Sequence, residues 1–305
     1  MAMRYTDVSG TRATRQEPSP SGPGRTMAAL DAVERLSALD STATRIRSWV
    51  KGLPLGRGRD ALHGKWLGHP VHPLMVQVPV GSWLSAAALD LVPGQRRGAG
   101  VLVALGLAGA GPAAVAGWVD WAELRPGQQR VGLVHAACNI GAVGLYAGSL
   151  VMRLRGRHAK GRLLGFAGLS LISAGGALGG HLAYRQAVGA NHAEGMAARI
   201  GSQWYELGRL EEFPVDVLVR RSVEAVPVVA VRRADERVYA LVEQCSHLGG
   251  PLSQGHLTDG CVKCPWHGSL FRLSDGWNVH GPATSAQPAF ETRVEDGVVH
   301  VRLRD

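Results

Sequence analysis

From residue 71 to residue 184 the chain alternates long apolar stretches with short polar connections rich in arginine. The stretches run about 71–92, 99–119, 131–152 and 163–184. Each approaches the roughly 20 residues that a helix needs to cross a bilayer. The second, third and fourth hold no Asp, Glu, Lys or Arg, so helices built from them have no polar face to offer water. Their glycines, as in Gly144-x3-Gly148 and Gly176-x3-Gly180, suit the close backbone approach that packs helices in lipid. The pattern predicts a four-helix transmembrane domain over 61–190. Upstream, residues 27–60 predict an amphipathic helical segment. Leu30, Val33, Leu36, Leu39 and Ile46 recur on one helical face, accompanied by Arg35, Arg45, Arg47 and Lys51. That segment either lies on the membrane surface or caps the bundle. Residues 1–26, rich in Pro, Ser, Gly, Thr and Arg without an apolar period, predict a disordered tail. After residue 200 the apolar runs shorten to strand length. PVVAVRR (227–233) and RVYALVE (237–243) alternate and flank a polar turn at Ala234-Asp235-Glu236, and VVHVRLR (298–304) reads as a closing strand.

Chemistry is concentrated in the strings CSHLGGPL and CPWHGSLF. Cys245, His247, Cys264 and His267 form the pattern C-x-H-x16-C-x2-H. Two thiolates and two imidazoles in this order suit an iron–sulfur cluster in which each short pair gives one residue to each iron. Zinc is the rival, because Cys2His2 is also a structural zinc set. Zinc modules usually pair cysteine with cysteine and histidine with histidine, whereas each pair here is mixed. Over residues 200–305 the chain resembles the Rieske [2Fe-2S] family. The resemblance implies Cys245 and Cys264 on one iron, His247 and His267 on the other, and a small antiparallel β domain with the cluster at its tip. It also implies a third, shielding loop, which Gly281-Pro282 would supply. Respiratory members of that family join the cluster loops by a disulfide, but Gly250 and Trp266 occupy those positions here. Ser269 matches a hydroxyl that bonds a cluster sulfur, and Phe271 stands where such members carry a Tyr. Fewer hydrogen bonds to sulfur imply a potential toward the low end of roughly −150 to +300 mV, as in Rieske ferredoxins. Cys261 is read as a packing residue, not a ligand.

Composition narrows the function classes. The 305 residues carry a formal charge of +9, yet only 19% are charged. Arg and Lys sit at the edges of the apolar stretches, the arrangement of a membrane protein. No basic–aromatic pattern points to nucleic acid. Two of the four cysteines belong to the motif, which leaves no disulfide framework and fits a reducing compartment. Four spans place both chain ends on one side. Positive charge is nearly equal on the two sides, and the hydrophilic N-terminus without an export signal favours a cytoplasmic Rieske domain in a multi-pass protein of the bacterial cell membrane.

Polar groups near the bilayer are functional candidates. His69, His72, His135 and His181 all fall at the span ends that share a side with the Rieske domain, together with Asp120 and Asn139. They offer ligands for haem b or another metal, a quinone pocket, or structural ties. HPVHP, GWVDW and GGHLAYR, over about 60–190, resemble a family of small bacterial four-helix membrane proteins of unassigned function. The whole chain thus reads as membrane α plus soluble β. Its expected role is electron carriage, one electron at a time, between a redox protein (reductase or oxygenase) and a membrane-side acceptor. A quinone-linked oxidoreductase subunit and the electron-donor component of an oxygenase system are the alternatives. Small-residue helix faces also permit a homo-oligomer.

Overall fold

The computed structural model describes residues 25–304. The tail expected over 1–26 therefore lies outside the described residues, except for its last two, which begin helix α1 (Arg25–Glu34). A single 3-10 turn separates α1 from α2 (Asp40–Gly52), so the one helix expected here is two. Together they cap the bundle. Ala43 and Val50 pack with Trp121, Ala122 and Leu124, while Leu30 and Val33 reach Leu178 and Leu182. Ion pairs fix the cap. Arg130 holds Asp40 through bonds of 2.6 and 2.8 Å, and Lys51 meets Glu123 at 2.8 Å.

Next come α3 (Arg57–His63), α4 (His72–Met75) and α5 (Gln77–Asp90). The first expected span is divided between α4 and α5 at Val76, since Pro79 has no N–H to give to the Met75 carbonyl. Helix α5 alone has 14 residues. Three further helices are long and apolar enough to cross a membrane: α6 (Arg96–Trp121), α7 (Pro126–Leu154) and α8 (His158–Gly180), the last prolonged by a π-helical turn to Arg185. The described residues thus hold three helices that qualify as candidate spans, where four are expected.

Helices α7 and α8 pack along their length, and of the expected Gly-x3-Gly residues only Gly148 meets the partner helix, at Leu164. Gly144 and Gly176 face open space, whereas Gly161, Gly168 and Gly175 of α8 abut Arg153, Tyr146 and Asn139 of α7. A Cβ at Gly168 would lie 2.9 Å from the Tyr146 ring, which itself stacks on Trp83 of α5 at 4.1 Å. Gly168→Val is expected to destabilise the bundle by about 1–3 kcal/mol through overpacking, read as a lower thermal midpoint in detergent. At the far end of the bundle Arg153 and Asp90 form a buried bidentate ion pair.

Beyond the short α9 (Glu194–Ala197) the chain forms two antiparallel sheets. The strands are β1 (Tyr205–Arg209), β2 (Val219–Val223), β3 (Val226–Arg232), β4 (Val238–Val242), β5 (His256–Thr258), β6 (Cys261–Lys263), β7 (Leu270–Arg272), β8 (Asn278–His280), β9 (Ala289–Glu295) and β10 (Val298–Leu303). The larger sheet has the order β1-β10-β9-β4-β3-β2, and the smaller β5-β6-β7-β8. Strand β3 is buried on both faces. Val226, Val228 and Ala230 join Phe213 and Phe290, whereas Val229 and Val231 join Leu252, Val262 and Phe271 of the smaller sheet's side. Two buried faces give this strand a continuous apolar run in place of the expected alternation. The smaller sheet is thereby fixed against the larger one, and its loops form the tip of the domain.

Candidate metal centre

Two loops at that tip carry the four motif residues. The first follows β4 and holds Cys245 and His247. It closes through Cys245 N–H to the Gly250 carbonyl and Gly249 N–H to the Cys245 carbonyl, both 2.9 Å. The second joins β6 to β7 and holds Cys264 and His267. It closes through Cys264 N–H to the Ser269 carbonyl at 2.9 Å and Gly268 N–H to the Cys264 carbonyl at 3.1 Å. Gly249 and Gly268 turn with φ of 78° and 80°, a conformation that side chains resist. Both thiols are buried and in hydrogen-bond contact. The two imidazoles stand beside them with centroids 5.0 Å apart and planes at 85°. The structure therefore brings all four predicted ligands together.

The donor set fits a binuclear cluster. Nδ1 of His247 is buried without a protein partner, as a metal-binding lone pair would be. Among the described residues no three His, Cys, Asp or Glu side chains converge on a single ion, whereas a cluster needs only two protein ligands per iron. At Gly250 a Cβ would stand 2.9 Å from Cys264 Sγ and 3.1 Å from the Trp266 ring, so the position that carries cysteine in disulfide-bearing relatives has no room for a side chain here. Backbone N–H groups of His247 and Leu248 point to Cys245 Sγ, and those of Trp266 and His267 to Cys264 Sγ. The Cys245 S–H and these N–H groups bring the Cys264 thiol down to about 7, while the same pairing and burial push Cys245 up. Burial, then the charge of His267, lowers His247 to about 3 from an ordinary 6.5, so it stays a neutral donor. An unfolded chain takes up that proton near 6.5 and the folded one only near 3. The cluster-free protein is therefore expected to lose stability as pH falls through that window and to keep it above, a slope that thermal unfolding at stepped pH measures.

Around the ligands, Ser269 Oγ accepts the Ala283 N–H at 3.0 Å, and Phe271 is fully buried. Cys261 is buried with its Sγ 3.7 Å from the Asp259 carbonyl, within neither ligand loop. The Gly281-Pro282 turn shares with His267 a cavity of about 250 Å³ between the tip and the helical domain. Charges of the helical domain reach the ligands: Glu123, Lys51, Arg47 and Arg125 act on His267, and His63, His192 and Lys51 on His247.

The membrane histidines separate. His72 and His135 meet edge to face at 6.4 Å. Nδ1 of His72 bonds the Ala113 carbonyl at 2.8 Å. His135 has both ring nitrogens engaged, Nδ1 with the Gly175 carbonyl at 2.7 Å and Nε2 with the Asn139 amide at 2.9 Å, which leaves it no lone pair for a metal. His69 is turned to its neighbour's carbonyl, and His181 lies 3.9 Å from Asp31. Sequence reading missed His63, which is buried and hydrogen-bonded to Asp120 at 2.8 Å on the cavity wall. It also missed Asp60 and Lys65, which reach the third cluster loop. Their local sequence carries no periodic or motif signal, and only the docking of two domains gives them partners.

Residues 203–291 match the family model of the Rieske [2Fe-2S] domain, and residues 68–192 match that of a predicted membrane protein (DUF2231). The anthranilate 1,2-dioxygenase ferredoxin subunit of Burkholderia cepacia is 33% identical over 102 residues, which are 33% of this chain and 94% of that one. Ferredoxin CarAc of Metapseudomonas resinovorans is 35% identical over 79 residues, 26% of this chain and 73% of that one. Among solved structures, a chain in the complex of reduced oxygenase and oxidized ferredoxin of carbazole 1,9a-dioxygenase is 27% identical, with 33% of this chain and 94% of that one covered and a TM-score of 0.31.

Proposed function

The chain belongs to the Rieske [2Fe-2S] domain family, and on that premise we propose that it is a membrane-held carrier of single electrons. A [2Fe-2S] cluster on Cys245, His247, Cys264 and His267 supplies one-electron uptake and release. The protein's own residues do the rest. Backbone N–H groups hold the sulfur ligands, burial keeps His247 neutral, and the tip sets His267 at the cavity edge where a partner's electron enters or leaves. The observation that carries the reading is the convergence of all four ligands on one tip that faces the helical domain's polar end. Ferredoxin subunits of dioxygenase systems among the relatives favour a soluble reductase or oxygenase as partner.

In this reading the helical domain spans the bacterial cell membrane, with the Rieske domain on the cytoplasmic side. Exposed Trp49, Trp66 and Tyr184 at that end suit the headgroup layer, where aromatic rings collect. The engaged nitrogens of His135 speak for structural ties in the bundle, and haem and quinone sites are not part of the proposal.

The test is cluster reduction in nanodiscs, followed optically, with a flavoprotein reductase of a dioxygenase system on one arm and a quinol on the other. Reduction by the reductase is expected. Reduction by quinol alone would replace this reading with the quinone-linked one. A sharp haem band in the reduced-minus-oxidised spectrum would restore the bundle as a second redox centre.

A further inference from the structure

The face of the tip that holds His267 is already covered by the chain itself. Helix α3 and the turn after it grip the third cluster loop. Asp60 accepts the Gly281 N–H at one carboxylate oxygen and bonds His280 Nδ1 at the other, each 3.1 Å. Lys65 Nζ donates to the Val279 carbonyl at 2.5 Å, and Ser285 Oγ donates to the Gly68 carbonyl at 3.3 Å. Fit is close at the centre, since a Cβ on Gly281 would stand 3.0 Å from Asp60 Oδ1. On the Rieske side Lys263 lines the same cavity. The cavity's carboxylates, Asp60 and Glu123, are committed to His280 and Lys51, which leaves Lys263 without an ion-pair partner there.

The bonds across this contact are polar. No apolar cluster among the described residues contains side chains from both 25–188 and 196–304. Interfaces of that kind between domains of one chain resemble transient protein–protein contacts and open readily. The third loop offers a backbone N–H, an imidazole and a nearby ammonium, and the helical domain answers with a carboxylate. An external protein that needs the same face must present the same chemistry.

We propose that the third cluster loop, with Lys263, is a docking surface for an acidic-faced soluble redox protein, and that Asp60 of the helical domain occupies it in the resting state. The chain thus carries an internal competitor for its own partner. Release of the Asp60 contact exposes His267, and a carboxylate of the partner then takes Asp60's place. The inference rests on the electron-carrier reading, and the experiment separates the two.

The full chain with its cluster is placed in nanodiscs, and exchange with an acidic flavodoxin and with a basic cytochrome c is followed by stopped flow. Asp60→Asn weakens the charged latch, and is expected to speed exchange with flavodoxin at least tenfold and with cytochrome c far less. An Asp60→Cys/His280→Cys variant closed by a short bis-maleimide is expected to exchange with flavodoxin at least tenfold more slowly than before closure. Dithionite, small enough to need no docking face, reports that the cluster is intact in every variant, and the thermal midpoint reports the fold. Equal flavodoxin rates before and after closure would overturn the proposal, as would an Asp60→Asn rate equal to that of the unaltered chain. If neither protein exchanges with any form while dithionite does, the electron-carrier reading falls as well.

Discussion

His247→Ala is expected to abolish the optical and EPR signature of the cluster and to drive bound iron toward none. The same change should leave the helical circular dichroism and the elution of the detergent-solubilised protein unaltered. The first half follows from the ligand count. An iron held by two imidazoles retains one after the substitution, and methyl cannot replace a nitrogen lone pair. His63, an imidazole of the helical domain that acts on this ligand, is hydrogen-bonded to Asp120 at 2.8 Å through its Nδ1. The second half follows from what His247 does not do. Its Nδ1 holds no protein partner, so no hydrogen bond is lost with it, and it belongs to none of the apolar clusters that hold either domain together. Cys261→Ala is the matched control. Cys261 and Cys264 would pair in a C-x2-C zinc site, yet Cys261 points to the Asp259 carbonyl, away from the other ligands. Its loss should leave the signature in place. A signature that survives His247→Ala, or one that vanishes with Cys261→Ala, would sink the ligand assignment.

The legible parts of this chain are those in which one local pattern carries the information. Ligand spacing is such a pattern, because each loop must turn a Cys and a His toward one point within a few residues. The strands at 227–233, 237–243 and 298–304 were equally open to reading, and fall on β3, β4 and β10 with ends shifted by at most two residues. Bundle helices read well from apolar length, but their packing did not. Gly144 and Gly148 form the recognisable spacing, yet of the two only Gly148 meets the neighbouring helix, and the glycines of α8 that abut α7 include Gly161, Gly168 and Gly175, seven apart, a repeat that only the choice of facing side chains reveals. Pro79 was visible in the sequence, and its lost N–H accounts for the break that divides the first span. The contacts least open to reading are those between the domains. Asp60 looks like an ordinary acidic residue in a helix's first turn, and its bond to a loop 221 residues away depends on how two separately folded units meet.

Arg153→Ala is expected to destabilise the helical domain by about 3–5 kcal/mol, the usual result of removing one partner from a buried ion pair. Both side chains of the pair are only 4% exposed. Arg153 meets Asp90 with two N–H groups, and its Nε reaches Ser149 Oγ at 3.2 Å, which in turn donates to the Gly161 carbonyl at 2.6 Å. One guanidinium therefore ties α5, α7 and α8 at the end of the bundle far from the Rieske domain. Truncation leaves the Asp90 carboxylate buried without a counter-charge, and that uncompensated charge is the main cost. Two further variants separate it from lost packing. Arg153→Lys keeps the charge but not the planar fork that matches a carboxylate, so an intermediate loss is expected. The double variant Asp90→Ala/Arg153→Ala removes both charges and should be more stable than Arg153→Ala alone, since nothing ionised remains buried. Denaturant unfolding in detergent, with the cluster spectrum as an independent check on the Rieske domain, measures all three. A double variant less stable than Arg153→Ala would mean that lost packing, and not the stranded carboxylate, dominates this end of the bundle.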